Sequence, residues 1–414
     1  MTPTVIAGRR PVFGTDLTVV GYRPGVARWG PATADGGPVT RADEAEVLTE
    51  ELAGRHAGRP GWERLCAGKL IYTTPSLRFV SGEETLPLPP ERTVLLVGPA
   101  RAGDPDVVDG YRRLAARGFL VAVDGLDAFA ADSPLLELST FAFVDFLGLP
   151  SFGLRGLLDL AHASGIRPVA VGVDDTARMA MAQHAGFDMF EGRMLSRPLS
   201  ARPDALTPGR LTVLRMIEAV NDPRTSATDL QKLVEADAGL SYRLLHVSSL
   251  GASGGLRRPV QSVREATVLL GREWMYRWLV LMLVADANQG APEQITMAMS
   301  RARMAELVAV AGRAAPADAA FTVGLVSALD LVLCAPLADI VAKLAITEDL
   351  VQALLHRRGR LGEVLDDVLD WETGSPPERP RSGVDHLVLE QLYVDAVGWA
   401  EGLMDTLAGA DRAA

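Results

Sequence analysis

The feature that most constrains this chain is a recurring alternation, between Val12 and Pro198, of short apolar runs with amphipathic stretches. The runs read VFGTDLTVVGY at 12–22, LIYTT at 70–74, TVLLVG at 93–98, FLVAVDG at 119–125, FAFVDF at 141–146, PVAVGVD at 168–174 and FDMFEG at 187–192. Between them lie helix-like segments such as DVVDGYRRLAARG and TARMAMAQHAG, each closing on a glycine. Strands that are apolar at nearly every position must be buried on both faces, as in a parallel sheet covered by helices. With so many runs in under half of the 414 residues, a closed TIM-like (β/α) barrel is the favoured fold. An open doubly wound sheet is the alternative.

Acidic residues fall near the ends of several runs: Asp124, Asp145, Asp174 and Glu191. In a barrel those ends make one rim, where active sites are built. Clustered carboxylates suit a hard divalent cation. Acids also follow strands as turn formers and helix caps, and position alone favours that plainer reading.

The second half changes character. From Leu211 to Val284, Ser226 precedes Asp229 and Ser262 precedes Glu265 by three residues, so each pair is predicted to cap a helix start. Leu230, Leu233 and Val234 behind the first, and Ala266, Leu269 and Leu270 behind the second, recur at helical spacing. Gly239, Gly251, Gly254, Gly255 and Gly271 punctuate the stretch, which predicts short helices joined by tight turns. Further amphipathic segments, MAMSRARMAELVAVAG, FTVGLVSALDLVLCAP, DIVAKLAITEDLVQALLH and LGEVLDDVLDWE, continue an all-helical unit, and VDHLVLEQLYVDAVGWAEGLMDTLAG supplies a last helix. Between the halves, Pro198, Pro203 and Pro208 break helix and stiffen the joint. The expected organisation is a barrel over 1–200, a proline-rich linker over 201–210 and a helical domain over 211–414.

Charge limits the partners. A net charge of -11 opposes nonspecific binding to nucleic acid or to anionic membranes. The most apolar run, Trp278 to Ala285, is far shorter than the roughly 20 residues that cross a bilayer. Two cysteines, Cys66 and Cys334, are too few for a disulfide framework or a cysteine metal cage, and the N-terminal MTPTVIAGRRPVF does not resemble a secretory signal. The expectation is a cytoplasmic protein.

The order of VFGTDLTVVGYRPGVAR, RGFLVAVDGLD, FAFVDF, VAVGVDD and AGFDMFEGRMLSRP is similar to the EAL domain, the barrel that hydrolyses the second messenger cyclic di-GMP. The resemblance implies where catalytic groups would stand. Arg23 occupies the place of the Glu in the naming motif, and Arg28 matches the phosphate-contacting Arg. Thr73 or Thr74 replaces a metal-binding Asn, the segment LLVGP offers no carboxylate, and Phe143 replaces a Lys while Asp145 is retained. An Asp-Asp pair is reduced to Asp124 and Gly125, and a base-bearing segment ends in Asp174. Metal-assisted phosphodiester cleavage needs anionic ligands, an activated water and charge stabilisation. The resemblance therefore implies a barrel without hydrolysis and with no cofactor or metal. Arg28, Asp124, Asp145, Asp174 and Arg197 are the candidates for remnant nucleotide binding.

The order NDP, DLQKLVEADAGLSYRLLHVSS, SVREATVLLG resembles the HDOD module, a helical relative of the HD phosphohydrolases of bacterial signalling. Where those enzymes carry His-Asp, this chain has Ser327 and Ala328, and its six histidines are scattered without an i, i+4 pair. Trp274 and Trp278, one helical turn apart with Met275 and Met282, are a candidate interaction stripe, although such residues are more often core. Together the resemblances imply a bacterial signal-transduction scaffold that works through contacts with other signalling proteins. The alternative is a cyclic di-GMP effector that binds without cleaving. Homodimerisation is implied by the EAL resemblance alone.

Overall fold

The computed structural model describes residues 4–28, 65–66, 68–85, 88–194, 292–333, 336–342 and 346–411, with scattered positions between 213 and 279. Its first half is a closed barrel in the order β1 (Thr4–Gly14), β2 (Val19–Arg28), β3 (Leu70–Thr73), β4 (Thr93–Val97), β5 (Leu120–Asp124), β6 (Ser139–Val144), β7 (Arg167–Val171) and β8 (Met189–Glu191). The barrel, not the open sheet, is what the alternating runs encode.

The reason is visible in the core. Along β4, Val94 and Leu96 point into the barrel while Leu95 and Val97 join the layer beneath the helices. Phe141 and Phe143 of β6 point inward, and Ala142 and Val144 outward. Every strand position thus meets protein on one side or the other, so each is apolar. The covering helices are α1 (Leu77–Ser81), α2 (Pro105–Ala116), α3 (Pro134–Leu138), α4 (Ser151–Ala163) and α5 (Thr176–Ala185), and α2 starts where Asp104 accepts the Asp106 N–H. Helix α5 (Thr176–Ala185) starts where Asp175 accepts the Arg178 N–H and stops at Gly186, φ 100°.

One expectation needs correction. The run 12–22 is not one strand of an all-parallel sheet but the turn of a hairpin: β1 is antiparallel to both β2 and β8. The chain reverses at Thr15–Thr18, where Asp16 accepts hydrogen bonds from the backbone N–H and hydroxyl of Thr18, at 3.1 and 2.7 Å. Leu17 takes φ 64° to complete the reversal. Leucine rarely adopts that conformation, so nothing in its identity signals the turn.

In the second half, α6 (Pro292–Gly312), α7 (Ala317–Val326), α8 (Leu329–Leu333), α9 (Leu337–Val341), α10 (Glu348–His356), α11 (Gly359–Glu372) and α12 (His386–Asp411) build a helical unit. The predicted FTVGLVSALDLVL helix is divided after Val326: Ser327 donates its hydroxyl to the Gly324 carbonyl, and α8 begins at Leu329. The capping pair at Ser226 and Asp229 is reciprocal, with the Asp229 N–H on Ser226 Oγ and the Ser226 N–H and hydroxyl on the Asp229 carboxylate. Ser262 and Glu265 lie outside the described residues.

The two halves share a core. Ala7, Tyr22 and Ile71 of the barrel strands pack in one apolar cluster with Met304 and Val308 of α6, Val368 and Trp371 of α11, and Tyr393 of α12. A Cβ at Gly8, whose φ is +72°, would lie 2.6 Å from the Glu372 carbonyl, so the hairpin backbone approaches α11 too closely for any side chain. Buried charge crosses the same contact. Arg9 reaches Glu401 at 2.9 Å and Glu293 at 3.5 Å, and the Tyr22 hydroxyl donates to Glu293 at 2.5 Å. The Arg9 guanidinium also stacks 3.8 Å from the centre of the Tyr22 ring. No described helix is long and apolar enough to cross a membrane.

Candidate functional site

Strand parity decides what faces the barrel mouth. In β8, Met189 is inside and Phe190 outside, so Glu191 points in again. In β2, Tyr22 packs outward and Arg23 turns inward. In β5, Ala122 is inside and Asp124 follows it two residues on, paired with Phe143 of β6. These choices bring one guanidinium among acids contributed by distant strands.

Arg23 lies 3.0 Å from Asp124 and 3.4 Å from Glu191, with its guanidinium 5.8 Å from the centre of the Phe143 ring. The Glu191 side chain is 1 % exposed, and those of Arg23 and Asp124 are 10 % and 13 %. Arg10 adds a second cation 3.5 Å from Glu191. Burial on its own pulls the Arg23 pKa down, but the charges of Glu191 and Asp124 outweigh it and hold the group above its ordinary value. Arg23 is therefore a fixed cation, and both carboxylates face it. No group of three or more His, Cys, Asp or Glu side chains among the described residues is arranged to hold a metal ion.

Above this cluster opens a cavity of about 420 Å³. Asp145, Asp174 and Arg193 border it from the strand ends, Arg178 from α5, Arg10 and Arg23 from the hairpin, and Tyr72 and Thr73 from β3. The Tyr72 hydroxyl and the Thr73 Oγ1 are buried beneath its wall without a hydrogen-bond partner. Burial pushes the Tyr72 phenol well above its ordinary range, so it stays a neutral donor. Asp174 serves local structure: it accepts the Arg193 N–H at 2.8 Å and lies 3.6 Å from Arg178.

Of the sequence candidates, Asp145 and Asp174 line the cavity and Asp124 sits beneath it against Arg23. Arg28 closes β2 opposite Thr4 at the end of the hairpin. Arg197, Trp274 and Trp278 lie outside the described residues. Sequence reasoning missed Tyr72, Arg178 and Arg193. It missed more completely that the helical half supplies part of the wall, at Glu372, Thr373 and Gly374. Arg193 was findable from its place just after the acid that ends β8. Glu372 carries no local signal.

Comparison with known proteins bears on both halves. Residues 208–361 match the HDOD domain family. The cyclic di-GMP phosphodiesterase CdgJ of Vibrio cholerae is 25 % identical over 330 residues, covering 77 % of this chain and 75 % of CdgJ. The uncharacterized protein YuxH of Bacillus subtilis is 24 % identical over 420 residues, covering 97 % of this chain and 99 % of YuxH. Among solved structures, the Bacillus subtilis YkuI protein, with an EAL domain and in complex with cyclic di-GMP and calcium, is 14 % identical with a TM-score of 0.35. That match covers 56 % of this chain and 71 % of the other.

Proposed function

From a chain that joins an EAL-like barrel to an HDOD domain, we propose a signalling protein that does not cleave cyclic di-GMP and works through contacts with other proteins. The pairing of domains points to cyclic di-GMP signalling. CdgJ is named as a phosphodiesterase, which stands against an inactive barrel by simple analogy. The observation that carries the opposite reading is the Arg23 guanidinium, set 3.0 Å from Asp124 and 3.4 Å from Glu191. A permanently charged arginine facing these carboxylates does the neutralising that a divalent ion would otherwise do. It cannot supply what the ion supplies to phosphodiester hydrolysis, an acidified water and a Lewis acid at the phosphoryl oxygen. With chemistry absent, output passes through surfaces.

The test is direct. The full chain, incubated at high concentration with cyclic di-GMP and Mg²⁺ or Mn²⁺, is expected to yield no linear dinucleotide. Metal-dependent product that disappears in Asp124→Asn overturns the reading. A pull-down with the full chain is expected to recover specific protein partners, and recovery of background alone counts against a scaffold.

A second reading, binding without cleavage, is favoured by the cavity itself. Five arginines border it, Arg9, Arg10, Arg23, Arg178 and Arg193. Guanidinium groups suit a ligand that carries phosphate oxygens. Calorimetry with cyclic di-GMP tests this: saturable heat that Arg193→Ala weakens supports binding, and the absence of heat at high ligand removes it.

A further inference from the structure

We propose that the barrel mouth and the Glu372–Gly374 turn form one ligand site shared by the two units, through which the helical unit senses occupancy. The inference rests on the binding reading above and goes beyond it, since the added wall comes from the helical half.

Three observations carry it. First, Glu372, Thr373 and Gly374 border the same cavity as Arg10, Arg23 and Arg193, so a molecule filling it touches both units. Second, the turn is pinned to the hairpin that forms the opposite wall. A Cβ at Gly8 would come within 2.6 Å of the Glu372 carbonyl, and one at Gly374 within 3.1 Å of the Ala7 carbonyl. Third, Arg10, Arg178 and Arg193 border the space from the barrel side, which suits a ligand that carries negative charge.

Glu372 also leads away from the cavity. Its carboxylate takes two hydrogen bonds of 2.8 Å from Arg301 on α6. The same guanidinium donates to the Ser327 carbonyl at 3.1 Å and hydroxyl at 3.3 Å, just past the end of α7. Ser327 in turn donates to Gly324 at 2.7 Å. Arg301 is buried, so its planar fork has few alternatives, and a shift of Glu372 must be followed by Arg301 or leave a charge exposed to an apolar interior. A ligand that fixes the turn therefore fixes the α6–α7 junction.

The test uses the full chain with cyclic di-GMP as probe. Hydrogen exchange of peptides covering 292–330 is expected to slow on saturation, together with that of the barrel mouth. Thr373→Trp places a large side chain at an exposed position of the turn, outside every core, and is expected to weaken binding about tenfold or more with an unchanged melting temperature. Protection confined to the barrel, or full affinity in Thr373→Trp, sinks the shared site and leaves simple binding intact. Failure of the wild-type chain to bind removes both. Should Thr373→Trp misfold, Arg301→Lys, outside the cavity, decides the point with wild-type exchange as reference: binding without protection of 292–330 is expected, and binding with full protection of 292–330 overturns the relay.

Discussion

Replacing Arg23 by methionine removes the cation that Asp124 and Glu191 both face while keeping most of the side-chain volume. Deleting one partner of a buried ion pair costs about 3–5 kcal/mol, because the remaining charge stays out of water. Two features set the cost near the lower end: Asp124 is 13 % exposed, and Glu191 keeps Arg10 at 3.5 Å. A loss of about 3 kcal/mol lowers the melting temperature of a unit this size by roughly 6–12 °C. Scanning calorimetry in EDTA, repeated with excess Mg²⁺ or Mn²⁺, measures it. The variant should recover more stability from the divalent ion than wild type does, since its carboxylates lack their built-in counter-charge. A drop under about 2 °C in EDTA, or equal ion response in both proteins, refutes the reasoning that Arg23 neutralises this cluster.

Other outcomes follow from the same geometry. Tyr72→Phe deletes a buried hydroxyl that has no protein partner, so it should leave stability unchanged or raise it by up to about 1–2 kcal/mol in urea unfolding. Gly8→Val meets both a positive φ and the Glu372 carbonyl, and should cost about 3 kcal/mol or more, read as a fall in the urea midpoint. Burial raises the Glu293 carboxyl above its ordinary 4.5, against the pull of Arg9 and the Tyr22 hydroxyl. A carboxyl raised in the fold contributes stability that is complete below its unfolded pKa and lost as pH rises through the folded one. Glu293→Gln should therefore flatten the part of the decline in melting temperature that begins above pH 4.5. Burial pushes the Cys66 thiol up to about 12, so peptide mapping after alkylation at pH 8 should find it unmodified until the chain unfolds.

The barrel was legible because its strands are buried on both faces, and Val94 to Val97 or Phe141 to Val144 leave no polar position to suggest otherwise. The hairpin at its start was not, because the reversal falls on Leu17 inside an apolar stretch and is held by Asp16, a residue that signals many things. At the site, acids at strand ends were visible as a pattern, and Arg23 was visible as an anomaly against it. Asp124 and Glu191 do converge on Arg23, while Asp174 is taken up by Arg178 and the Arg193 backbone. Glu372 was invisible for a physical reason. It reaches the cavity only because α11 packs on the first hairpin, and contacts between units far apart in sequence leave no periodicity to read.

The apolar cluster joining Tyr22 and Ile71 to Trp371 and Tyr393 has a practical corollary. A polypeptide truncated between the halves would expose greasy flanks that normally cover each other, and such flanks drive clumping. Either fragment made alone should aggregate more readily than the intact chain. The shared cluster makes the two lobes one folding object.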